Sequence, residues 1–413
     1  MMFIAESASL QAARAFDEKD PFSRFRREFV FPKTQTGEDQ LYFAGHSLGL
    51  MPVRARHYAM EEFDSWGRYG VEGHFLGEHP WYSYHEFLTE PSARLVGARP
   101  DEVVVMNSLT VNLHLMMVSF YRPSKERFKI LIEKNTFPSD QYAVDSQARF
   151  HGFDPKQAIV EVEHDRIIET ISELGSSLAL VMLGNCNYLT GYKFDMKAIA
   201  SAAHDVGALA GFNLAHGAGN LGLSLHDDGV DFAVWCSYKY LNSGPGGLAG
   251  CFVHQRHLNK KDIPRFEGWW GTDKSKRFQM SRQFQAMPTV EAWQLSNPPI
   301  LPMATLRASL EIFDEAGMWA LRERGDRLTT YLEYLLKTEC AGACEIVTPE
   351  NRGSMLCVRI KGEPKTLAKK LSEAGVIVDF REPDILRMAP APLYNSFEDV
   401  YRLVDAINGG LNG

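Results

Sequence analysis

One lysine lies at the end of an apolar run and directly before a glycine-rich turn. The stretch from Val230 to Gly250 has the sequence VDFAVWCSYKYLNSGPGGLAG, and Lys239 is its single lysine. Because burial disfavours the charged ammonium, a lysine that closes a buried strand gains a lowered pKa and a free amine for nucleophilic or Schiff-base chemistry. Our working hypothesis is therefore that Lys239 binds an aldehyde cofactor, pyridoxal phosphate.

Two further strand ends carry groups suited to the phosphate of such a cofactor. Ser108, Leu109 and Thr110 follow the apolar run VVVMN and open a predicted helix, where backbone N–H groups and hydroxyls bind anions. The loop that ends in Asp140 follows a second apolar run and adds a carboxylate. Taken alone, Ser108 or Thr110 is equally well interpreted as a plain helix N-cap. Asp140 taken alone is better interpreted as a turn or cap residue.

Three other motifs differ in how well they fit a function. Arg387, in ILRMAPAPLYNSF, closes a short strand and suits bidentate binding of a substrate carboxylate, although a surface ion pair is an equally good interpretation. The stretch Gly217 to Gly222, GAGNLG, matches G-x-G-x-x-G but opens no helix, which argues against a dinucleotide fingerprint. His254 and His257 form HxxH with no third ligand, so we predict no metal site.

Apolar runs alternate with helical patterns between residues 103 and 256. The runs predicted as strands are VVVMN, KILIEK, SLALVMLGNCN, GALAGFNLAH, VDFAVWCSYK and LAGCFVHQ. This alternation predicts a mostly parallel sheet with helices on both faces, and ligands of such sheets bind at the carboxyl ends of the strands. The fold class is therefore predicted to be α/β.

The pattern changes after Asn297, where two helical stretches are followed by short strands and helices. This change favours a second, smaller α+β domain. We predict an N-terminal segment at residues 1–60 that packs with the small domain, a large cofactor-binding domain at 61–299 and a small C-terminal domain at 300–413.

The bulk composition narrows the class of protein and its partners. A formal charge of -8 argues against general affinity for nucleic acid or an anionic membrane. No apolar run approaches the roughly 18 residues of a membrane span, and the N-terminal stretch lacks the basic and apolar regions of a signal peptide. The six cysteines form no CxxC pair. We therefore predict a reduced, cytoplasmic protein.

Seven runs of the chain resemble those of the kynureninases, and they occur in that family's order between Gly45 and Phe397. They are SLTVNLHLMMVSFYRP, FPSDQYAVDSQ, LAHGAGN, WCSYKYLNSGPGG, GWWG, NPPI and ILRMAPAPLYNSF. The resemblance implies a fold-type-I, pyridoxal-phosphate-dependent homodimer of tryptophan catabolism, with active sites near the subunit interface. It also implies hydrolysis of kynurenine or 3-hydroxykynurenine to the corresponding anthranilate and alanine.

Carried over position by position, the resemblance assigns roles to individual residues. Lys239 would form the Schiff base with the cofactor and transfer protons, with Tyr238 beside it as a second catalytic residue. The implied cofactor-binding residues are Leu109, Thr110, Phe137, Ser139, Asp140, Asn213, His216, Tyr238, Lys239, Trp269 and Asn297. The last two would help to complete the cavity, which in the family is that of the partner subunit. The implied substrate-binding residues are Arg387 for the α-carboxylate, Ser47 and His74 near the aromatic end, and Asn297.

The chain departs from the family pattern at several positions near the expected site. Asn213 stands where the family has an aspartate that keeps the pyridine nitrogen protonated, His46 stands for an asparagine, and Tyr192 for a glutamine. Two interpretations stay open: a kynureninase with a weakened or compensated electron sink, and a diverged lyase or transferase acting on another amino acid. A non-catalytic homologue is disfavoured because it would not need Lys239 and Arg387.

Overall fold

The computed structural model describes residues 7–412, so the first six residues of the predicted N-terminal segment and Gly413 lie outside the described part. The helices are α1 (Leu10–Glu18), α2 (Val53–Tyr69), α3 (Glu86–Val96), α4 (Leu109–Phe120), α5 (Pro138–Phe150), α6 (Pro155–Ala158), α7 (Ile167–Leu174), α8 (Met196–Asp205), α9 (Gln255–Leu258), α10 (Ile300–Ala316), α11 (Met318–Glu339), α12 (Pro364–Glu373) and α13 (Phe397–Asn412).

The strands fall into one large sheet, one smaller sheet and two short pairs. They are β1 (Phe29–Val30), β2 (Leu41–Tyr42), β3 (Met51–Pro52), β4 (Val103–Met106), β5 (Lys129–Glu133), β6 (Ile159–Val162), β7 (Leu178–Gly184), β8 (Leu209–Asn213), β9 (Phe232–Cys236), β10 (Ala249–Val253), β11 (Cys344–Ile346), β12 (Leu356–Ile360), β13 (Val376–Ile377), β14 (Asp379–Arg381) and β15 (Ile385–Met388).

The large sheet has seven strands in the order β4-β10-β9-β8-β7-β5-β6. Strands β6, β5, β7, β8 and β9 pair in parallel, whereas β10 runs antiparallel to β4 and β9. Neighbouring residues of β4 face opposite layers: Val103 and Val105 pack in one apolar cluster, and Val104 and Met106 in another. Burial on both faces explains why the strands are almost continuously apolar. The predicted α/β class is confirmed.

The smaller sheet lies in the C-terminal part and has the order β11-β12-β15-β14, with every pair antiparallel. Helices α11, α12 and α13 contribute apolar side chains to one cluster with these strands. This arrangement is the predicted α+β unit. Gly317, with a positive φ of 78°, ends α10.

The N-terminal segment is joined to the C-terminal part by backbone pairing and helix packing. Strand β2 pairs in parallel with β13, and α1 packs on α13. Helix α2 runs through residue 60, the predicted boundary, and packs on α10. The division into three units at residues 60 and 299 stays a prediction. Within residues 7–412, no helix combines the length and the apolar character needed to cross a membrane.

A buried carboxylate anchors the start of β9, the strand that leads to Lys239. Asp231 accepts hydrogen bonds from the backbone of Ala210 at 2.7 Å, from Arg256 at 2.6 Å, and from His257 and His204 at 2.7 and 2.8 Å. Burial acts to raise the pKa of the Asp231 carboxyl. The hydrogen bonds from the two histidines and the Arg256 charge outweigh it and hold that pKa well below its usual range.

Replacement of this anchor is expected to destabilise the fold. The change Asp231→Asn should lower the free energy of unfolding by about 3 kcal/mol at neutral pH, because it breaks a buried ion pair. A carboxyl with a depressed folded pKa stabilises the fold above its unfolded pKa of about 4 and loses this effect as pH falls. Urea unfolding at pH 7 and at about pH 3, below the unfolded pKa, should therefore show a difference between the two proteins that shrinks in acid. Equal urea midpoints at pH 7 would contradict the anchoring role.

Candidate active site

A cavity of about 160 Å³ opens at the carboxyl ends of β5, β7, β8 and β9. It is lined by Leu109, Thr110, Glu133, Phe137, Ser139, Asp140, Gly184, Cys186, Tyr188, Asn213, Ala215, His216, Tyr238 and Lys239. Nine of the eleven residues predicted to bind the cofactor are among them, and Trp269 and Asn297 are not. The parallel strands thus bring together side chains that are up to about 130 positions apart in the sequence.

Lys239 reaches into this cavity from the turn after β9. Its Nζ lies 3.2 Å from Nε2 of His216 and 5.8 Å from the centre of the Phe137 ring. Burial lowers the pKa of the Lys239 ammonium, and the charge of Arg387 acts in the same direction. Burial likewise lowers the pKa of His216, and the charge of Lys239 adds to that effect. The lowered pKa favours the uncharged, nucleophilic amine relative to that of an exposed lysine, which is the direction that the sequence predicts.

The turn that carries Lys239 packs against a glycine that the sequence analysis did not single out. The backbone N–H of Gly49 donates to the carbonyl of Tyr238 at 2.8 Å. A Cβ at Gly49 would lie only 2.3 Å from the carbonyl oxygen of Lys239. The GHSLG stretch therefore needs glycine here, since any larger residue would displace the lysine turn. The available indication was its place two residues after Ser47, a position predicted to bind the substrate.

Two helix N-termini and two hydroxyls form a further part of the cavity lining. Helices α4 and α5 both begin here, and Oγ1 of Thr110 lies 2.9 Å from Oγ of Ser139. The N-cap residues Ser108 and Phe137 make no side-chain capping hydrogen bond. Neither helix is capped by its N-cap side chain, and the hydroxyl of Thr110 contacts Ser139 instead. The structure therefore does not show a plain N-cap at this place. Free backbone N–H groups, hydroxyls and two helix dipoles together favour a bound anion such as phosphate.

The cavity lining also contains a hydrogen-bonded amide–carboxyl pair. Asn213 ends β8, and its Nδ2 donates to Oδ2 of the buried Asp140 at 2.7 Å. Burial raises the pKa of Asp140 to about 6, although the Asn213 hydrogen bond and the Lys239 charge oppose this rise. Glu133, at the end of β5, accepts from the backbone of Gly184 at 3.1 Å, and burial raises its pKa to about 8. Glu133 is therefore neutral at pH 7.

Arg387 lies on β15, buried and just outside the residues that line the cavity. Its Nη1 donates to the carbonyl of Tyr188 at 2.6 Å, and its Nη2 pairs with Asp379 on the neighbouring strand. Its Nε has no hydrogen-bond partner among the described residues. Asp379 also accepts from Arg381 at 3.1 Å and lies 3.5 Å from Nε2 of His46. The ion pair of Arg387 is thus a buried one beside the site, not the surface pair that the sequence left open.

Comparison with known proteins decides the family. Residues 321–407 match the family model described as the kynureninase C-terminal domain. The chain is 59% identical over 409 residues to the kynureninase of Myxococcus xanthus and 53% identical over 408 residues to that of Koribacter versatilis, in each case with 96% of both chains covered. The chain belongs to the kynureninase family.

Solved structures of more distant proteins show the same fold. A cysteine desulfurase from Escherichia coli superposes with a TM-score of 0.77 at 17% identity, covering 95% of this chain and 99% of its own. The cystine C-S lyase C-DES, solved with its reaction product cysteine persulfide, gives 0.75 at 15% identity over 89% of this chain and 97% of its own. At this level of identity the likeness concerns the fold alone.

The cavity of this kynureninase-family chain fits pyridoxal phosphate. The amine of Lys239 is suited to the aldehyde, and the Thr110–Ser139 end to the phosphate. Between them, Oδ1 of Asp140 and Nδ1 of His216 are buried without a hydrogen-bond partner among residues 7–412. Such unpaired buried atoms are costly, so a ligand with polar ring atoms would satisfy them.

Four residues that the family resemblance assigns to cofactor or substrate lie on the surface of this chain. Ser47 and Asn297 are exposed, Trp269 is 42% exposed, and His74 is half-buried. His74 and Trp269 nevertheless belong to the same aromatic surface region. The ring of Phe278 lies 5.7 Å from Trp269 and 6.1 Å from Phe75, the neighbour of His74. Their roles in binding stay predictions.

Several residues of the site were not identified from the sequence. Glu133, Cys186 and Tyr188 line the cavity, and Asp379 holds Arg387. Glu133 had a usable indication, because a carboxylate at the end of the apolar run KILIE is unusual in a buried strand. Asp379 had none, since its pairing with Arg387 depends on the register of β14 against β15.

The histidines of the HxxH motif have separate partners. His257 contacts Asp231, whereas the ring of His254 stacks on His226 at 4.8 Å and 17°. Glu102 lies beside this stacked pair, with ligand atoms of all three residues within 4.8 Å. Its carboxylate already accepts from His226 and from two backbone N–H groups. Stacked rings direct their nitrogens along parallel planes, so the three groups are poorly placed to bind one ion.

Proposed function

We propose that the protein hydrolyses kynurenine or 3-hydroxykynurenine, with pyridoxal phosphate as its cofactor. Water and the substrate give anthranilate, or its 3-hydroxy derivative, and alanine, as the bond between Cβ and the carbonyl carbon Cγ breaks. The observation that carries this proposal is the amine of Lys239 in a cavity with a phosphate-binding end, in a chain 59% identical to a kynureninase. The alternative of a non-catalytic homologue has no use for these groups.

The side chains of the site have distinct tasks in this reaction. When bound, pyridoxal phosphate supplies a carbonyl that captures the substrate amine and a conjugated ring that withdraws electrons. Lys239 removes the proton from Cα of the substrate and returns protons later, which its lowered pKa permits. Tyr238 borders the amine, and burial raises the pKa of its hydroxyl, so that it donates a hydrogen bond at neutral pH. Arg387 binds the α-carboxylate of the substrate.

The two hydroxyls are proposed to bind the cofactor phosphate. Each of the changes Thr110→Ala and Ser139→Ala should weaken pyridoxal phosphate binding about tenfold or more, because a hydrogen bond to a charged group contributes roughly 1.5–3 kcal/mol. Equilibrium dialysis measures the dissociation constant. Ser146→Ala is the matched control, since Ser146 lies on the same helix as Ser139 and bonds to the Ala143 carbonyl. Wild-type affinity in both cavity variants would contradict the assignment.

A second function has support from two residues that depart from the family pattern. The neutral Asn213 is placed in the cavity, and the buried His46 lies beside the Asp379–Arg387 pair. Burial lowers the pKa of His46 to about 4, so this side chain is neutral at pH 7. Such changes would suit a lyase or transferase that binds another amino acid. A protein that binds pyridoxal phosphate but forms no anthranilate from kynurenine would favour this alternative.

A homodimer is supported by an apolar surface groove next to the lysine turn. The groove has a volume of about 700 Å³ and is bordered by residues of 30–59, by the turn 242–247 and by the start of α10. Met51 and Val30 are 46% and 43% exposed there. A second copy covering this groove would bury these apolar side chains, and the family resemblance implies that Trp269 and Asn297 complete the cavity of such a partner. Sedimentation at micromolar concentration should give a dimer, and a monomer would contradict it.

Two further proposals concern organisation and location. The boundaries at residues 60 and 299 are proposed to divide the chain as the sequence predicts. A cytoplasmic location is supported by the six cysteines, all of which are free thiols.

The proposed activity is tested with the purified protein loaded with pyridoxal phosphate. Kynurenine and 3-hydroxykynurenine are offered separately, and the fluorescence of the aromatic product is followed. We expect turnover of at least one of them. Cofactor binding without product from either substrate would contradict the proposal.

A further inference from the structure

The orientation of the Asn213 amide is fixed by an unambiguous donor. The backbone N–H of Ala215 can only donate, and it lies 2.9 Å from Oδ1 of Asn213. The amide oxygen is therefore the acceptor in this bond, and the amide nitrogen faces Oδ2 of Asp140 at 2.7 Å. Asn213 thus uses its acceptor on the backbone and directs a donor at a carboxyl group.

The carboxyl group of Asp140 is left with one free oxygen. Asp140 lines the cavity and is 7% exposed, and its Oδ1 has no hydrogen-bond partner among residues 7–412. Lys239 is the cation whose charge acts on Asp140, and Asn213 is the single side chain that donates to it. A buried carboxylate oxygen without a donor is costly, so a donor from a ligand in the cavity would be strongly favoured there.

We propose that Asp140, not Asn213, is the anionic acceptor for a protonated ring nitrogen of the bound cofactor, and that Asn213 positions it. The proposal rests on the proposed function, because it concerns the cofactor of that site. It answers the question raised by Asn213, since a neutral amide cannot stabilise a pyridinium charge. Because Asn213 is neutral, the one negative charge of this pair is on Asp140.

The surrounding groups are consistent with a single negative charge on Asp140. Glu133 is the other carboxyl that lines the cavity, and burial raises its pKa to about 8, which leaves it neutral at pH 7. His216 is also kept neutral, because burial lowers its pKa. The electrostatic attraction on a protonated ring nitrogen then depends on Asp140.

The test uses the holoenzyme without substrate and reads the ring nitrogen directly. Wild type and the variants Asp140→Asn, Asn213→Asp and the double exchange Asp140→Asn/Asn213→Asp are loaded with pyridoxal phosphate labelled with nitrogen-15. The nitrogen chemical shift distinguishes a protonated from a neutral ring at pH 7. Dissociation constants for the cofactor are measured in parallel.

We expect a protonated ring in wild type, a neutral ring with cofactor affinity weakened about tenfold in Asp140→Asn, and a protonated ring in Asn213→Asp. The double exchange should restore protonation, because it returns one carboxylate to the pair; a merely structural role of Asp140 would not give this rescue. A neutral ring in wild type overturns the proposal even if Asp140→Asn fails to fold, as does a protonated ring in Asp140→Asn. A wild-type protein that binds no cofactor overturns the proposed function as well, so the two failures are distinguishable.

Discussion

The change Lys239→Ala is expected to lower the rate of kynurenine cleavage by about a thousandfold or more. A positioned general base contributes roughly 10²–10⁴ to a rate, and Lys239 is the amine that both holds the cofactor and carries protons in this account. Its Nζ is the amine in the cavity, and His216, 3.2 Å away, is kept neutral by burial and by the charge of this lysine. The measurement is steady-state formation of the aromatic product, together with the visible absorption spectrum of the loaded protein.

A matched control separates this effect from the loss of any lysine. Lys337 on α11 is 66% exposed and pairs with Glu333 one helical turn away, so Lys337→Ala should keep wild-type rate and spectrum. The Lys239→Ala protein should still bind pyridoxal phosphate through the Thr110–Ser139 end, but with the spectrum of the free aldehyde. A Lys239→Ala protein with a rate within tenfold of wild type would show that another group does the chemistry.

The second large effect is expected at Arg387. Truncating one partner of a buried charge pair costs roughly 2–5 kcal/mol, which corresponds to about thirtyfold to several thousandfold in binding. We therefore expect Arg387→Gln to raise KM for kynurenine by about a hundredfold, with a smaller fall in kcat. Asp379 keeps Arg381 and His46 as neighbours in this variant, so the site does not lose every partner of that carboxylate.

A substrate without the carboxylate charge distinguishes binding from general damage. Wild type should discriminate strongly between kynurenine and its carboxamide, whereas Arg387→Gln should treat them alike. Arg359→Gln is the control, because Arg359 lies on the adjacent β12, is 43% exposed and pairs with Glu345. Discrimination that survives in Arg387→Gln would assign the carboxylate to another cation.

The buried ion pair also indicates what substrate binding must change. Asp379 and the Tyr188 carbonyl occupy both terminal nitrogens of Arg387, while Nε is unpaired. In the proposed role of Arg387, a substrate carboxylate would either accept a hydrogen bond from Nε or replace Asp379 as the partner of Nη2. Tyr188 belongs to the loop after β7, in which the sequence departs from the family pattern. This loop and Asp379 would then belong to the proposed carboxylate site. The departures of the loop were visible in the sequence, whereas Asp379 was not identified from it.

The large sheet was predictable because its strands are buried on both faces and are therefore nearly continuous apolar runs. Strand β6, from Ile159 to Val162, was missed because it is a short edge strand with only its last residue buried. The cofactor end of the site was predictable for a related reason. Parallel strands all end at the same edge, so polar residues after Met106, Glu133, Asn213 and Cys236 had to meet.

The substrate end could not be predicted in the same way. The ion pair of Arg387 with Asp379 depends on the register of antiparallel strands, which one sequence does not specify. The exchange of roles between Asn213 and Asp140 depends on the direction of one amide. Ser47, His74, Trp269 and Asn297 lie on the surface, and their proposed part in the site requires the proposed second copy of the chain.

The central claim is that this chain cleaves the Cβ–Cγ bond of kynurenine with water. It is tested most directly by running the reaction in water labelled with oxygen-18 and analysing both products by mass spectrometry. We predict anthranilate and alanine in equal amounts, with one labelled oxygen in the new carboxylate of anthranilate and none in alanine. Unlabelled anthranilate, or alanine formed without anthranilate, would contradict hydrolysis and favour a diverged lyase or transferase.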